Sequence, residues 1–236
     1  MAPLTALYTA AAGTDTGRRY HANFDVAHLS TEPLVAIVAD GMGDGPGSAM
    51  AGRTAVDLVV SHIQSSGVPG IRPALSEAHR AVADFGRTSG TLAGCTLTAL
   101  VESPDGLWLA QLGDSRAYRL RSGLLELLTV DHTMAWLGAV HGWWPHDSPQ
   151  AHAAGYQLTR YVGHSSHPDP DLLHIRPQAG DVYLLCTDGV AEQVPYYRIL
   201  DILRTSSPEQ AVRSLLADSE SAGGNDNATA IVVKTS

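Results

Sequence analysis

Three apolar runs in this 236-residue chain end in an aspartate that sits beside glycine. AIVADG gives Asp40, AQLGDS gives Asp114 and LLCTDG gives Asp188. A fourth aspartate, Asp226 in GGNDNATAIVV, stands just ahead of another apolar run. One Asp-Gly after a strand is ordinarily a turn, as at Asp105-Gly106. Four at corresponding places carry a different meaning. Brought to one edge of a fold, their carboxylates repel one another unless a cation lies between them. An all-oxygen set without His or Cys partners favours hard cations, Mg²⁺ or Mn²⁺, over zinc. The neighbouring glycines leave room for ions and water. They also let a main-chain carbonyl such as that of Gly41 join the ligands.

The other metal-binding residue types do not compete. His141, His146 and His152 lie in one irregular stretch without the i, i+4 spacing of a helical zinc pair. His132 follows Asp131 in TVDHT, where a structural hydrogen bond is expected. Cys95 and Cys186 sit inside apolar runs and read as reduced, packed thiols.

The elements that must position the aspartates are legible in outline. Strand character marks Leu34–Ala39, Cys95–Val101, Leu107–Leu112, Ala117–Leu120, Val182–Cys186 and Ala228–Lys234, with a hairpin turn at Pro104-Asp105-Gly106. Helical periodicity marks Ser48–Ser65 and Ile71–Arg87. A third helix is punctuated by Ser207 as cap, Pro208 at its first position, Gln210 completing a capping box and Gly223-Gly224 as the stop. Strand blocks separated from paired helices favour sheet packed on sheet with helices outside, an α+β arrangement. A single domain over residues 1–236 is expected, with an irregular flap at about 138–156 that contains Trp143 and Trp144.

Acidic groups outnumber basic ones, 24 to 15, for a formal charge of −9. That balance argues against a general nucleic-acid binder, which should carry a basic face. No run approaches the roughly 20 apolar residues of a membrane span. The opening residues show neither a basic leader nor a long apolar segment, so a cytoplasmic protein without membrane association is expected.

With these residues in view, the chain resembles the metal-dependent protein phosphatases of type 2C, in their bacterial single-domain form. DGMG (Asp40–Gly43) matches the family's first metal motif and GDSRAYRL (Gly113–Leu120) its central signature. LLTVDHT (Leu127–Thr133), LTRYVG (Leu158–Gly163), GDVYLLCTDGV (Gly180–Val190) and DNATAIVV (Asp226–Val233) follow in order. The resemblance implies a four-layer α-β-β-α sandwich of two packed antiparallel-type sheets flanked by helix pairs. It implies that Asp40 bridges two Mn²⁺ or Mg²⁺ ions, helped by the Gly41 carbonyl, and that Asp188 and Asp226 hold one of them. Asp114 would belong to a third, weaker ion, and Asp25 would act through water. The implied activity is hydrolysis of phosphoserine and phosphothreonine by water poised between the ions, with no phosphorylated side chain on the enzyme. The implied partners are phosphorylated proteins, with a Ser/Thr kinase in opposition and the enzyme a monomer.

The first motif departs from the family pattern. Gly17-Arg18-Arg19-Tyr20-His21-Ala22-Asn23-Phe24-Asp25 stands where the family reads roughly G-x-x-R-x-x-N-E-D. Tyr20 therefore takes the place of the phosphate-binding Arg, and Phe24 that of a Glu. Arg19, one residue away, is either the substitute that binds phosphate or an exposed arginine on a strand edge. DGMGDGPG also lacks the family's usual following His, with Asp44 near that place. Two alternatives stay open: a non-catalytic relative that docks a partner, and a nucleotide or small-molecule phosphatase on the same fold.

Overall fold

The computed structural model describes residues 8–145 and 147–236. The leader reading of residues 1–7 and the side chain of His146 lie outside the described residues. Ten strands are present: β1 (Tyr8–Asp15), β2 (Val26–Thr31), β3 (Leu34–Ala39), β4 (Leu97–Ser103), β5 (Gly106–Leu112), β6 (Arg116–Arg121), β7 (Leu124–Leu127), β8 (Asp171–Ile175), β9 (Val182–Cys186) and β10 (Ala228–Thr235). They form two antiparallel sheets, ordered β1-β10-β9-β6-β7 and β2-β3-β4-β5-β8.

Alternation along the central strands builds the layers. Leu34, Ala36 and Val38 of β3 face the opposite sheet, where they meet Tyr183 and Leu185 of β9 and Ile231 and Val233 of β10. The intervening Val35, Ile37 and Ala39 face outward, under α1 (Pro46–Ser66) and α2 (Ile71–Ser89). On the far side, Val182, Leu184 and Cys186 lie under α6 (Tyr196–Thr205) and α7 (Pro208–Ser221). Both faces of these strands are buried, so they read as continuous apolar runs although the sheets are antiparallel. The result is the expected four-layer α-β-β-α sandwich.

The capping box of α7 forms as expected. The Ser207 hydroxyl accepts from the Gln210 N–H and the Gln210 side chain accepts from the Ser207 N–H. The stretch expected to be irregular is instead mostly helical. It contains α3 (Met134–His141), capped by Thr133, and α4 (Pro149–Gly155), capped by Ser148 with Pro149 in the first turn. The two pack against each other, and the Trp144 ring lies on Gly138. The cap-then-proline order at Ser148-Pro149 is a helix start, which the surrounding prolines and tryptophans obscure. Trp143 stacks instead on His141, 5.2 Å between ring centroids. Both cysteines are buried and free.

Candidate functional site

The aspartates gather from strand ends of both sheets, some on links within a sheet and some where the chain passes between sheets. Asp40 follows β3, and Asp114 lies in the link that carries the chain from β5 in one sheet to β6 in the other. Asp188 opens the short helix α5 (Asp188–Ala191) directly after β9, and Asp226 precedes β10. The segment from β1 to β2 crosses the same edge and carries Arg19, Tyr20 and Asp25. Asp40, Gly41, Asp114, Asp188 and Asp226 line one cavity of about 230 Å³, which is room for several water molecules. Asp25 lies behind it.

Backbone clips fix the aspartates in place. The Asp40 N–H donates to Thr96 Oγ1 at 2.9 Å, and the Thr96 N–H donates back to the Asp40 carbonyl at 2.8 Å. At Gly41 a Cβ would lie 2.6 Å from the Ser48 carbonyl oxygen and 2.9 Å from that of Phe24, so only glycine lets these backbones meet. Gly113 turns the chain ahead of Asp114 with φ +104°, and a Cβ there would strike Thr96 at 2.6 Å. Its N–H donates to His132 Nδ1 at 3.0 Å, and His132 Nε2 lies 3.0 Å from the Asp171 carboxylate. The structural role expected of His132 is therefore to hold the turn that carries Asp114. The Thr187 hydroxyl donates to Asp25 Oδ2 at 2.8 Å and accepts the Thr229 N–H at 3.0 Å. The Asn227 carboxamide accepts the Phe24 N–H and donates to the Thr16 and Ala22 carbonyls, tying the crossing segment to the start of β10.

The electrostatics are those of carboxylates too close together. Burial raises the pKa of Asp40 and Asp114 well above the ordinary value, and the neighbouring Asp188 adds to both shifts. Burial likewise pushes Asp25 to about 7, against the Thr229 and Thr187 hydroxyls, and Asp188 and Asp226 push the same way. Asp188 is pushed to about 6, by burial and then by Asp226. Asp226 is raised by burial, against the hydrogen bond donated by the Asn227 N–H and then the charge of Arg19. Asp25 Oδ1 and Asp188 Oδ1 are buried with no hydrogen-bond partner. Buried carboxylate oxygens without a partner are costly. Among the described residues, no three His, Cys, Asp or Glu side chains are drawn into a closed ligand cluster. The set is open, with the cavity between its members. An all-oxygen, mutually repelling, partly orphaned set fits hard divalent cations, and Asp25, Asp40, Asp114, Asp188, Asp226 and the Gly41 carbonyl are the groups that could hold them.

Arg19 is not brought into this cavity. Its guanidinium lies 5.0 Å from the centroid of the Tyr20 ring and is exposed, while Tyr20 itself lines the cavity. Burial, and then Asp226, raise the Tyr20 phenol, which keeps it a protonated donor. Phe24 meets Tyr20 edge-on, 6.2 Å between centroids. Asp44 is exposed in a neighbouring hollow with Arg19 and Tyr20. Tyr20, Thr96, Thr187 and Asn227 were not expected as site residues from the sequence. Thr187 and Asn227 carry a signal, each standing next to an expected ligand, Asp188 and Asp226.

A double sheet between helix pairs, with carboxylates collected from strand ends of both sheets, is the architecture of the protein phosphatase 2C class. The match to that family spans residues 21–221, and the chain belongs to it. The serine/threonine phosphatase stp of Listeria welshimeri is 28% identical over 94% of this chain and 93% of its own. Among solved structures, the Ser-Thr phosphatase MsPP of Mycobacterium smegmatis, in complex with cacodylate, is 30% identical with a TM-score of 0.86 over 97% of this chain and 98% of its own. The catalytic domain of the phosphatase PstP, in complex with 2 manganese ions, is 26% identical with a TM-score of 0.82 over 97% of this chain and 98% of its own. The chain is thus a protein phosphatase of the serine/threonine class. No helix among the described residues is long and apolar enough to cross a membrane.

Proposed function

We propose that this chain hydrolyses phosphoserine and phosphothreonine in cytoplasmic proteins, opposing a Ser/Thr kinase and acting as a monomer with Mn²⁺ or Mg²⁺. The observation that carries the reading is the convergence of five carboxylates whose pKa values rise together, two of them with orphaned buried oxygens. Asp40 and the Gly41 carbonyl would serve two ions, with Asp188 and Asp226 on one of them and Asp25 acting through water. Asp114 would hold a third ion more weakly. When bound, such ions acidify water and neutralise phosphoryl oxygens.

The protein's own share is positioning. Thr96 and Thr187 fix the orientations of Asp40 and Asp25, and the turn at Gly113, held by His132, aims Asp114. Tyr20 offers an O–H to a phosphoryl oxygen from inside the cavity, and Arg19 adds positive charge from its rim. The test compares turnover of phosphothreonine peptides with that of nucleoside phosphates, with Mn²⁺ present. Preferential hydrolysis of the peptides is expected. Preference for nucleotides would move the substrate class to small molecules, and no turnover of either would make the chain a non-catalytic relative.

A further inference from the structure

A second cavity, of about 590 Å³, opens beside the aspartates between the flap helices and α5. It shares Asp114, Asp188 and Tyr156 with the first, so a peptide whose phosphate enters the first has a continuous path along the second. Its walls are Trp136 and Trp144 from the flap, with Tyr156 at the junction. Trp144 is occupied by its packing on Gly138, whereas Trp136 and Tyr156 are 47% and 76% exposed.

The charges in this cleft are unevenly committed. The Arg116 guanidinium is engaged with Asp131, its Nε at 3.0 Å and its Nη2 at 2.6 Å from the carboxylate. Asp114 and Asp188 face the aspartate cavity. Glu192, one residue past α5, is exposed and takes part in no ion pair among the described residues. His152 is the other basic residue of the lining.

From this arrangement we infer that the cleft receives a lysine or arginine flanking the phosphoresidue of the substrate. The inference rests on the phosphatase reading above and adds a substrate class to it. Aromatic faces attract a cation through their quadrupole, and the long aliphatic stem of Lys or Arg covers the apolar wall. The Glu192 carboxylate then pairs with the charged head, while an acidic side chain in the same place would be repelled. The chain's formal charge of −9 steers basic partners in the same direction.

The experiment uses phosphothreonine peptides identical except for Lys, Ala or Glu at each flanking position, with Mn²⁺. Aryl phosphate turnover by the same preparations serves as the internal standard. At one flanking position Lys should lower KM about fivefold relative to Ala with little change in kcat, an advantage that shrinks in high salt. Glu192→Gln and Trp136→Ala should each bring that Lys-to-Ala ratio towards one, and Glu192→Lys should invert it in favour of the Glu peptide. Equal KM for the Lys, Ala and Glu peptides, all being hydrolysed, would overturn the inference and leave the phosphatase reading standing. A Lys preference unchanged in Glu192→Gln and Trp136→Ala would likewise overturn it, since the cation would then bind elsewhere. Turnover of the aryl phosphate with none of any phosphopeptide would overturn both.

Discussion

Asp188 and Asp226 flank strands of the same sheet, and both push the pKa of Asp25 upward, so neutralising either should remove a ligand without opening the fold. Asp188→Asn and Asp226→Ala are each expected to abolish phosphatase activity while leaving the circular dichroism spectrum unchanged. Full activity in both variants would contradict the assignment. Asp114→Ala should be milder at saturating Mn²⁺ and should raise the Mn²⁺ concentration needed for half-maximal rate. Arg19→Ala should raise KM about fivefold, as befits an exposed charge worth about 1 kcal/mol, with kcat nearly unchanged. At this scale the aspartates were legible because their chemistry depends on residue type and on their place after a strand. Their supports were not. The sequence places Thr187 beside Asp188 but does not show that its hydroxyl meets Asp25. Nor does it show that Arg19 would turn out onto the Tyr20 ring.

At the scale of elements, the six strands legible in the sequence are the interior ones, and the four that were not are the edges of the two sheets. β1, β7, β2 and β8 each pair on one side only. They are short or rich in alanine, polar and half-exposed residues, as in YTAAAGTD and VAHLST, so they lack the apolar run that marks a strand buried on both faces. The site sits where interior strands end and edge segments cross between sheets. Its carboxylates were therefore legible, whereas the path of the closing segment, Thr16–Asp25, and its tie to Asn227 were not. The turn into β6 offers an element-scale test. Gly113→Ala forces a left-handed φ and a contact with Thr96, and should cost about 1–3 kcal/mol in chemical denaturation. It should also weaken Mn²⁺ activation by displacing Asp114. Unchanged stability would mean that the turn is not constrained as described.

For the whole molecule, gathering five carboxylates sets a charge problem that shapes its response to pH. Groups with raised folded pKa values stabilise the fold fully below the unfolded value near 3.8, and that stability is lost as pH rises through the folded values, about 7 for Asp25. His79 and His132, pushed down by burial, act in the opposite sense but only below about 6.5. Asp181 works at the acid end. Burial raises it, but the hydrogen bond from Arg121 brings it below the usual carboxylate range, so its contribution is lost only as pH falls through that lowered value. Chelator-treated protein should thus melt at a lower temperature at pH 8 than at pH 6.5, and Mn²⁺ should restore the difference. A melting temperature that rises across this interval without metal would contradict the crowding of carboxylates described above.

The account's central claim is that these carboxylates, distant in sequence, jointly hold hard cations. Calorimetric titration of Mn²⁺ into chelator-stripped protein tests it most directly. Two tightly held ions per chain are expected for the wild type, with the tight binding lost in Asp40→Asn. Absence of stoichiometric binding, or an isotherm unchanged by Asp40→Asn, would contradict it.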